Sequence, residues 1–159
     1  MGNIMSTIIN ATTTNGVVIE PDNSGSLELQ TNSGTTALTI DTSQNLQFNS
    51  GYGSVATAYG CRAWVNFNGS GTVAIRASGN VSSITDNGTG DYTINLTNAL
   101  VDANYGIILS VGVLGASAGI AGVFTTSFVP TSSALKVFAV GNASDALADT
   151  AYYYAAILR

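Results

Sequence analysis

Residues 61–96 read CRAWVNFNGSGTVAIRASGNVSSITDNGTGDYTINL, and the alternation of runs and turns in this stretch decides the fold. Two runs, Cys61–Phe67 and Thr72–Ser78, flank Asn68-Gly69-Ser70-Gly71; two more, Val81–Asp86 and Asp91–Leu96, flank Asn87-Gly88-Thr89-Gly90. Runs rich in Val, Ile, Thr and aromatic residues, broken by Asn/Gly clusters, are the signal of successive β-hairpins. Downstream, Tyr105–Val113, Ala121–Val129, Leu135–Val140 and Ala151–Leu158 read as further strands. Eight strands in roughly 100 residues predict an antiparallel β-sandwich or jelly roll over residues 55–159. In the last strand Tyr152, Tyr154, Ala156 and Leu158 share one face, and Tyr153, Ala155 and Ile157 share the other. Apolar on both sides, this strand is expected in the middle of a sheet or at a subunit contact.

Upstream the pattern is sparser. Val17/Ile19, Leu27/Leu29, Leu38/Ile40 and Leu46/Phe48 are apolar pairs spaced by two, separated by polar turns such as Thr42-Ser43-Gln44-Asn45. Period two places each pair on one face of a short strand. Strands with two apolar side chains apiece cannot close a core within one chain. They become stable when neighbours or symmetry mates cover the stripe. Residues 1–54 are therefore expected to form an N-terminal shaft or anchoring segment, with Ser50-Gly51-Tyr52-Gly53-Ser54 as the boundary. The expected assembly interface comprises Leu27, Leu29, Leu38, Ile40, Leu46 and Phe48, together with Tyr152 and Tyr154.

Composition narrows function. Of 159 residues only 8% are charged and the net charge is -5, where about 25% charged is usual. Either Ser, Thr and Asn keep such a chain soluble, or subunit contacts hide much of its surface. With no His, neither a Ser-His-Asp nor a Cys-His nucleophile can be built, nor a His-ligated metal site. A single Cys excludes an intrachain disulfide and a four-thiolate zinc site. The cations are Arg62, Arg76, Lys136 and Arg159, too few for nucleic acid to be a partner. Asp86 and Asp91 bracket a Gly-rich turn, but the spacing misses that of a calcium loop. The nine acids fall mostly on turns and do not suggest the paired carboxylates of a glycosidase. No catalytic, cofactor-binding or metal residue is expected, and the chain is not read as an enzyme.

Individual residues take plain readings. Trp64 is expected in the core, opposite about Ile75, and Cys61 as a small buried apolar residue. Arg62 and Arg76 are expected in interface ion pairs. Met1-Gly2-Asn3-Ile4-Met5-Ser6 fits a loose myristoylation pattern, but no basic cluster follows it, and no secretory signal is legible. The uncharged stretch Ile107–Phe128 is interrupted by Gly112, Gly115, Gly119 and Gly122, and reads as two buried strands rather than a membrane span.

A resemblance supplements these readings. Cys61–Gly69, Val73–Thr93 and Asp102-Ala103-Asn104-Tyr105, with the closing strand and its terminal arginine, resemble a module of tailed-bacteriophage proteins. It occurs in tail-fibre and other virion structural proteins, cyanophage ones among them. Gly25-Ser26-Leu27-Glu28-Leu29-Gln30 and Ala37-Leu38-Thr39-Ile40-Asp41 resemble the shaft repeats that precede such knobs. The resemblance covers residues 25–105 well and the rest loosely. It implies a homotrimeric, non-enzymatic virion protein: a tail or head fibre, anchored by its N-terminus, that presents a β-sandwich knob to the host surface. The alternative it implies is a capsid decoration or cement protein clamping major capsid subunits. Implied partners are sister copies, other virion proteins (tail, portal-vertex or major capsid protein) and a host-surface glycan. No functional residue is carried over with it.

Overall fold

The apolar pairs of the N-terminal part form one antiparallel meander of four strands: β1 (Leu27–Thr31), β2 (Thr35–Ile40), β3 (Leu46–Phe48) and β4 (Ala56–Thr57). The computed structural model describes residues 25–31, 34–49, 54–112, 119–125, 128–141 and 146–159. The Val17/Ile19 pair and most of the 50–54 boundary lie outside the described residues. Among those described, every regular element is a strand and every strand pairing is antiparallel. The chain divides into two units, Met1–Ala58 and Tyr59–Arg159. β4, beyond the expected boundary at residue 54, pairs with β3 and belongs to the first unit.

Register aligns the first unit's apolar pairs. Leu27 faces Ile40, which faces Leu46; Leu29 faces Leu38, which faces Phe48. Because alternate residues share a face, these six form two rows across one side of the sheet. The β2–β3 hairpin owes its geometry to Asp41. Its Oδ1 accepts from the amides of Ser43 and Asn45, both at 2.9 Å, and its Oδ2 from Gln47 Nε2 at 2.8 Å. Gln44 takes the left-handed conformation (φ 65°) at the last position of the three-residue loop, where glycine is common. The hydrogen bonds, that of the Asn45 amide foremost, hold the exposed Asp41 carboxyl below its ordinary value.

The second unit contains eight strands: β5 (Cys61–Asn68), β6 (Ala74–Gly79), β7 (Val81–Gly88), β8 (Asp91–Leu96), β9 (Gly106–Val111), β10 (Gly119–Val123), β11 (Ala134–Gly141) and β12 (Tyr153–Leu158). They form two four-stranded sheets, ordered β10-β11-β8-β7 and β6-β5-β12-β9, so each hairpin stays within a single sheet. The four central strands supply alternate residues to a common core: Ala63, Val65 and Phe67; Tyr92, Ile94 and Leu96; Leu135, Val137 and Ala139; Tyr153, Ala155 and Ile157. At its centre the Phe67 ring lies 4.9 Å from that of Tyr153 in a near-parallel stack, and 5.2 Å from that of Tyr92 edge to face. Both phenols keep a partner. Tyr92 donates to the Gly69 carbonyl (2.6 Å) and Tyr153 to the Phe138 carbonyl (2.9 Å). Burial pushes both phenols well above the ordinary tyrosine value and raises Tyr105 as well.

The uncharged stretch is built as β9 and β10, each on a sheet edge, and no helix among the described residues is long and apolar enough to cross a membrane. The expectation of two fully buried strands is corrected. Ile107 and Leu109 pack against the core, while Ile108 and Ile120 are exposed, because each sheet meets the core with one face and turns alternate side chains to the other. The pair Asp86/Asp91 serves turn and ion-pair chemistry. Asp86 accepts from the Gly88 amide (3.0 Å), and Asp91 pairs with Lys136 (2.9 Å). Cys61, expected buried, is exposed and donates weakly to the Ala63 carbonyl.

Candidate functional site

The outer face of the β6-β5-β12-β9 sheet gathers side chains that lie far apart in the sequence. On β5, Ala63, Val65 and Phe67 point into the core, so Arg62, Trp64, Asn66 and Asn68 point outward. On β12 the same alternation turns Tyr154 and Ala156 outward, and on β9 Ile108 and Ser110. Strand register makes rows of these positions. Trp64, Ala156 and Ile108 are successive cross-strand partners, and so are Asn66, Tyr154 and Ser110. Between them runs a shallow groove of about 360 Å³ bordered by these side chains.

Trp64 is the largest correction to the sequence reading: it is 45% exposed rather than core. The hairpin closes at Asn68 and Ala74 and pairs Phe67 with Ile75; a one-residue bulge between Asn66 and Phe67 then leaves Trp64 paired with Gly79. Ile75 is therefore not opposite the indole. The missing side chain of Gly79 is what makes room for the indole, since a Cβ there would lie 2.5 Å from Trp64 Nε1. The parity of Trp64 with Arg62 and Asn66 was the available signal.

The bulge also sets Arg76. Its guanidinium lies 4.3 Å from the centre of the Tyr152 ring, and it donates to Asn68 Oδ1 at 3.4 Å. Tyr152 and Tyr154 stand nearly parallel, with ring centres 6.3 Å apart, and each is about half-exposed. Within the chain, the ion pairs of the described residues are Lys136–Asp91 and Arg159–Asp102, which involve neither Arg62 nor Arg76. Asn66 carries the least conventional feature. Its Oδ1 is buried and receives no hydrogen bond, although Asn66 borders the groove. No reading of sequence alone could have found that.

The residues named from sequence as an assembly interface occupy two places. Leu27, Leu29, Leu38, Ile40, Leu46 and Phe48 form the apolar face of the first unit, where Leu29, Ile40, Leu46 and Phe48 are exposed. Tyr152 and Tyr154 belong to the outer face of the second unit beside Trp64. Among the described residues, no group of three or more Cys, Asp or Glu side chains is placed to hold a metal ion.

No family model matches the sequence, and no curated protein matches it. Among solved structures, the fold is similar to that in the crystal structure of the phiAB6 tailspike in complex with three-repeated oligosaccharides of Acinetobacter baumannii surface polysaccharide. The TM-score is 0.53 at 16% identity, over 98% of this chain and 31% of that one. At that identity the likeness is one of fold, and this chain spans less than a third of the tailspike's length.

Proposed function

We propose that this chain is a virion protein of a tailed bacteriophage, a homotrimeric host-attachment appendage that acts by binding and not by bond cleavage. In this reading the first unit is the shaft that joins sister copies, and the second is the knob presented to the host surface. The observation that carries it is the fold likeness to a phage tailspike along nearly the whole chain. That tailspike was crystallised with oligosaccharides of a bacterial surface polysaccharide, and a host-surface glycan is the corresponding partner here.

The first unit supports the assembly step. Its two rows of Leu, Ile and Phe leave no described residue of the unit buried. Covering a half-exposed side chain of this kind contributes on the order of 1 kcal/mol, and a threefold arrangement covers the face of every copy at once. Binding without cleavage agrees with where the acids lie. Asp91 and Asp102 are in ion pairs, Asp41 and Asp149 accept backbone amides, and none of these borders the Trp64 groove. Three copies presenting one weak site each gain adhesion through multivalency.

Two measurements test the reading. Sedimentation of the full chain should give a trimer, and a single subunit at micromolar concentration would remove the homotrimer. An antibody against the second unit should label purified particles of the phage that encodes the chain, at the tail. Unlabelled particles would remove the virion assignment.

A further inference from the structure

We infer that the outer face of the β6-β5-β12-β9 sheet is a saccharide-binding site, with Trp64 and Tyr154 as stacking platforms and Asn66 Oδ1 as the acceptor for a sugar hydroxyl. The inference rests on the attachment reading for the origin of its ligand, and deepens it by naming the site. Three observations meet on this face. Exposed aromatic rings on rigid strands present apolar surface that the C–H face of a pyranose covers. An unpartnered acceptor borders the same groove, and a buried acceptor without a donor costs free energy until a ligand supplies one. Finally, Ser110, the cross-strand partner of Tyr154, brings a hydroxyl to the border of the same groove.

Mixed polarity selects the occupant. A second copy of an oily sheet would cover the rings but leave the Asn66 acceptor unmatched. A sugar unit carries an apolar face and hydroxyl donors within the same few ångströms, which is the pairing that groove offers. The half-exposed Trp64 and Tyr154 flank Asn66 along its strand and across it, so a sugar stacked on either ring lies beside the Asn66 side chain. Gly79 sets the indole in place, and any side chain there would push it off β6.

Trp64 is the chain's one tryptophan, so its emission reports on this face directly. The full-length chain should be titrated with defined oligosaccharides of neutral hexose, N-acetylhexosamine and uronic-acid type. At least one class should change Trp64 emission saturably. By calorimetry with that oligosaccharide, Trp64→Ala and Asn66→Ala should each weaken binding about tenfold or more, as truncation of a central contact does. Gly79→Ala should weaken it through the displaced indole, and Tyr59→Ser, at an exposed tyrosine outside the groove, should leave it unchanged. Unfolding midpoints of the variants establish that each is folded. Saccharide binding that survives Trp64→Ala and Asn66→Ala would overturn the site while leaving attachment intact. So would the absence of any emission change across all three classes, if labelled particles still carry the chain. A trimer that dissociates on Tyr154→Ala would overturn it in favour of a contact between copies.

Discussion

The two units use the same strand grammar and arrive at opposite burial. In the second, four central strands turn alternate residues toward one another across two sheets, and Phe67, Tyr92, Leu135 and Tyr153 lose all contact with solvent. In the first, three strands turn their apolar pairs to one side of a single sheet, and none of its described residues is buried. The difference is one of layers. An apolar face needs a second face against it, and among the described residues only the second unit has one of its own. The first unit's hairpin is instead organised by the hydrogen bonds of one carboxylate, Asp41.

That contrast can be attacked at its strongest point first. Phe67→Ala removes the ring that touches both Tyr92 and Tyr153, and should cost the second unit about 3–5 kcal/mol in denaturant unfolding. A loss below about 1 kcal/mol would mean that the two sheets do not share a tight core. Leu38→Asp places a charge at the centre of the first unit's apolar face, between Leu29 and Phe48. In sedimentation the trimer proposed above should give way to single subunits while the unfolding midpoint of the second unit stays in place. A trimer that persists would move the assembly contact elsewhere.

The pH responses should separate the units from opposite ends of the scale. Tyr92, Tyr153 and Tyr105 have folded values raised above 10.0, chiefly by burial. The neutral phenols' contribution is therefore whole below the unfolded value of 10.0, and is lost as pH rises toward the folded one. Tyrosinate absorbance from these three should appear together with loss of near-ultraviolet circular dichroism, and ionisation inside an intact fold would contradict the core described. Asp41 works in the other direction. Its folded value lies below 3.8, so its contribution is present above 3.8 and lost as pH falls through the folded value. Asp41→Asn, the smallest effect, should speed hydrogen exchange at the Ser43 and Asn45 amides and leave the second unit untouched. Unchanged exchange would deny the carboxylate its role in the hairpin.

Much of this was legible before any coordinates. Each strand expected downstream of residue 55 has a counterpart, because hairpin turns and period-two alternation are local signals. Seven agree to within two residues at either end, whereas the strand expected at Ala121–Val129 is found at Gly119–Val123 and stops six residues short. Trp64 shows where local reading stopped. A four-residue loop would set it opposite Ile75, whereas the hairpin closes at Asn68 and Ala74 over a five-residue loop and the bulge at Asn66/Phe67 adds one more position, which gives it Gly79. Its place on the outside with Arg62 and Asn66 follows from the unbroken alternation of β5, whose Ala63, Val65 and Phe67 face the core. Cys61 was misjudged for the same reason, its residue type being a weaker guide than its place near the start of a strand.

Turn residues and alternating side chains were enough to specify an all-β chain, the positions of its strands and the apolar pairs of the first unit. Which strands became neighbours was settled by pairings between residues distant in the chain, β5 with β12 and β8 with β11. Those pairings and their bulges fix which side of each strand meets the core, since a shift of one residue exchanges the two faces. The groove beside Trp64, the Arg76–Tyr152 contact and the lone acceptor of Asn66 exist only once those distant strands are in register.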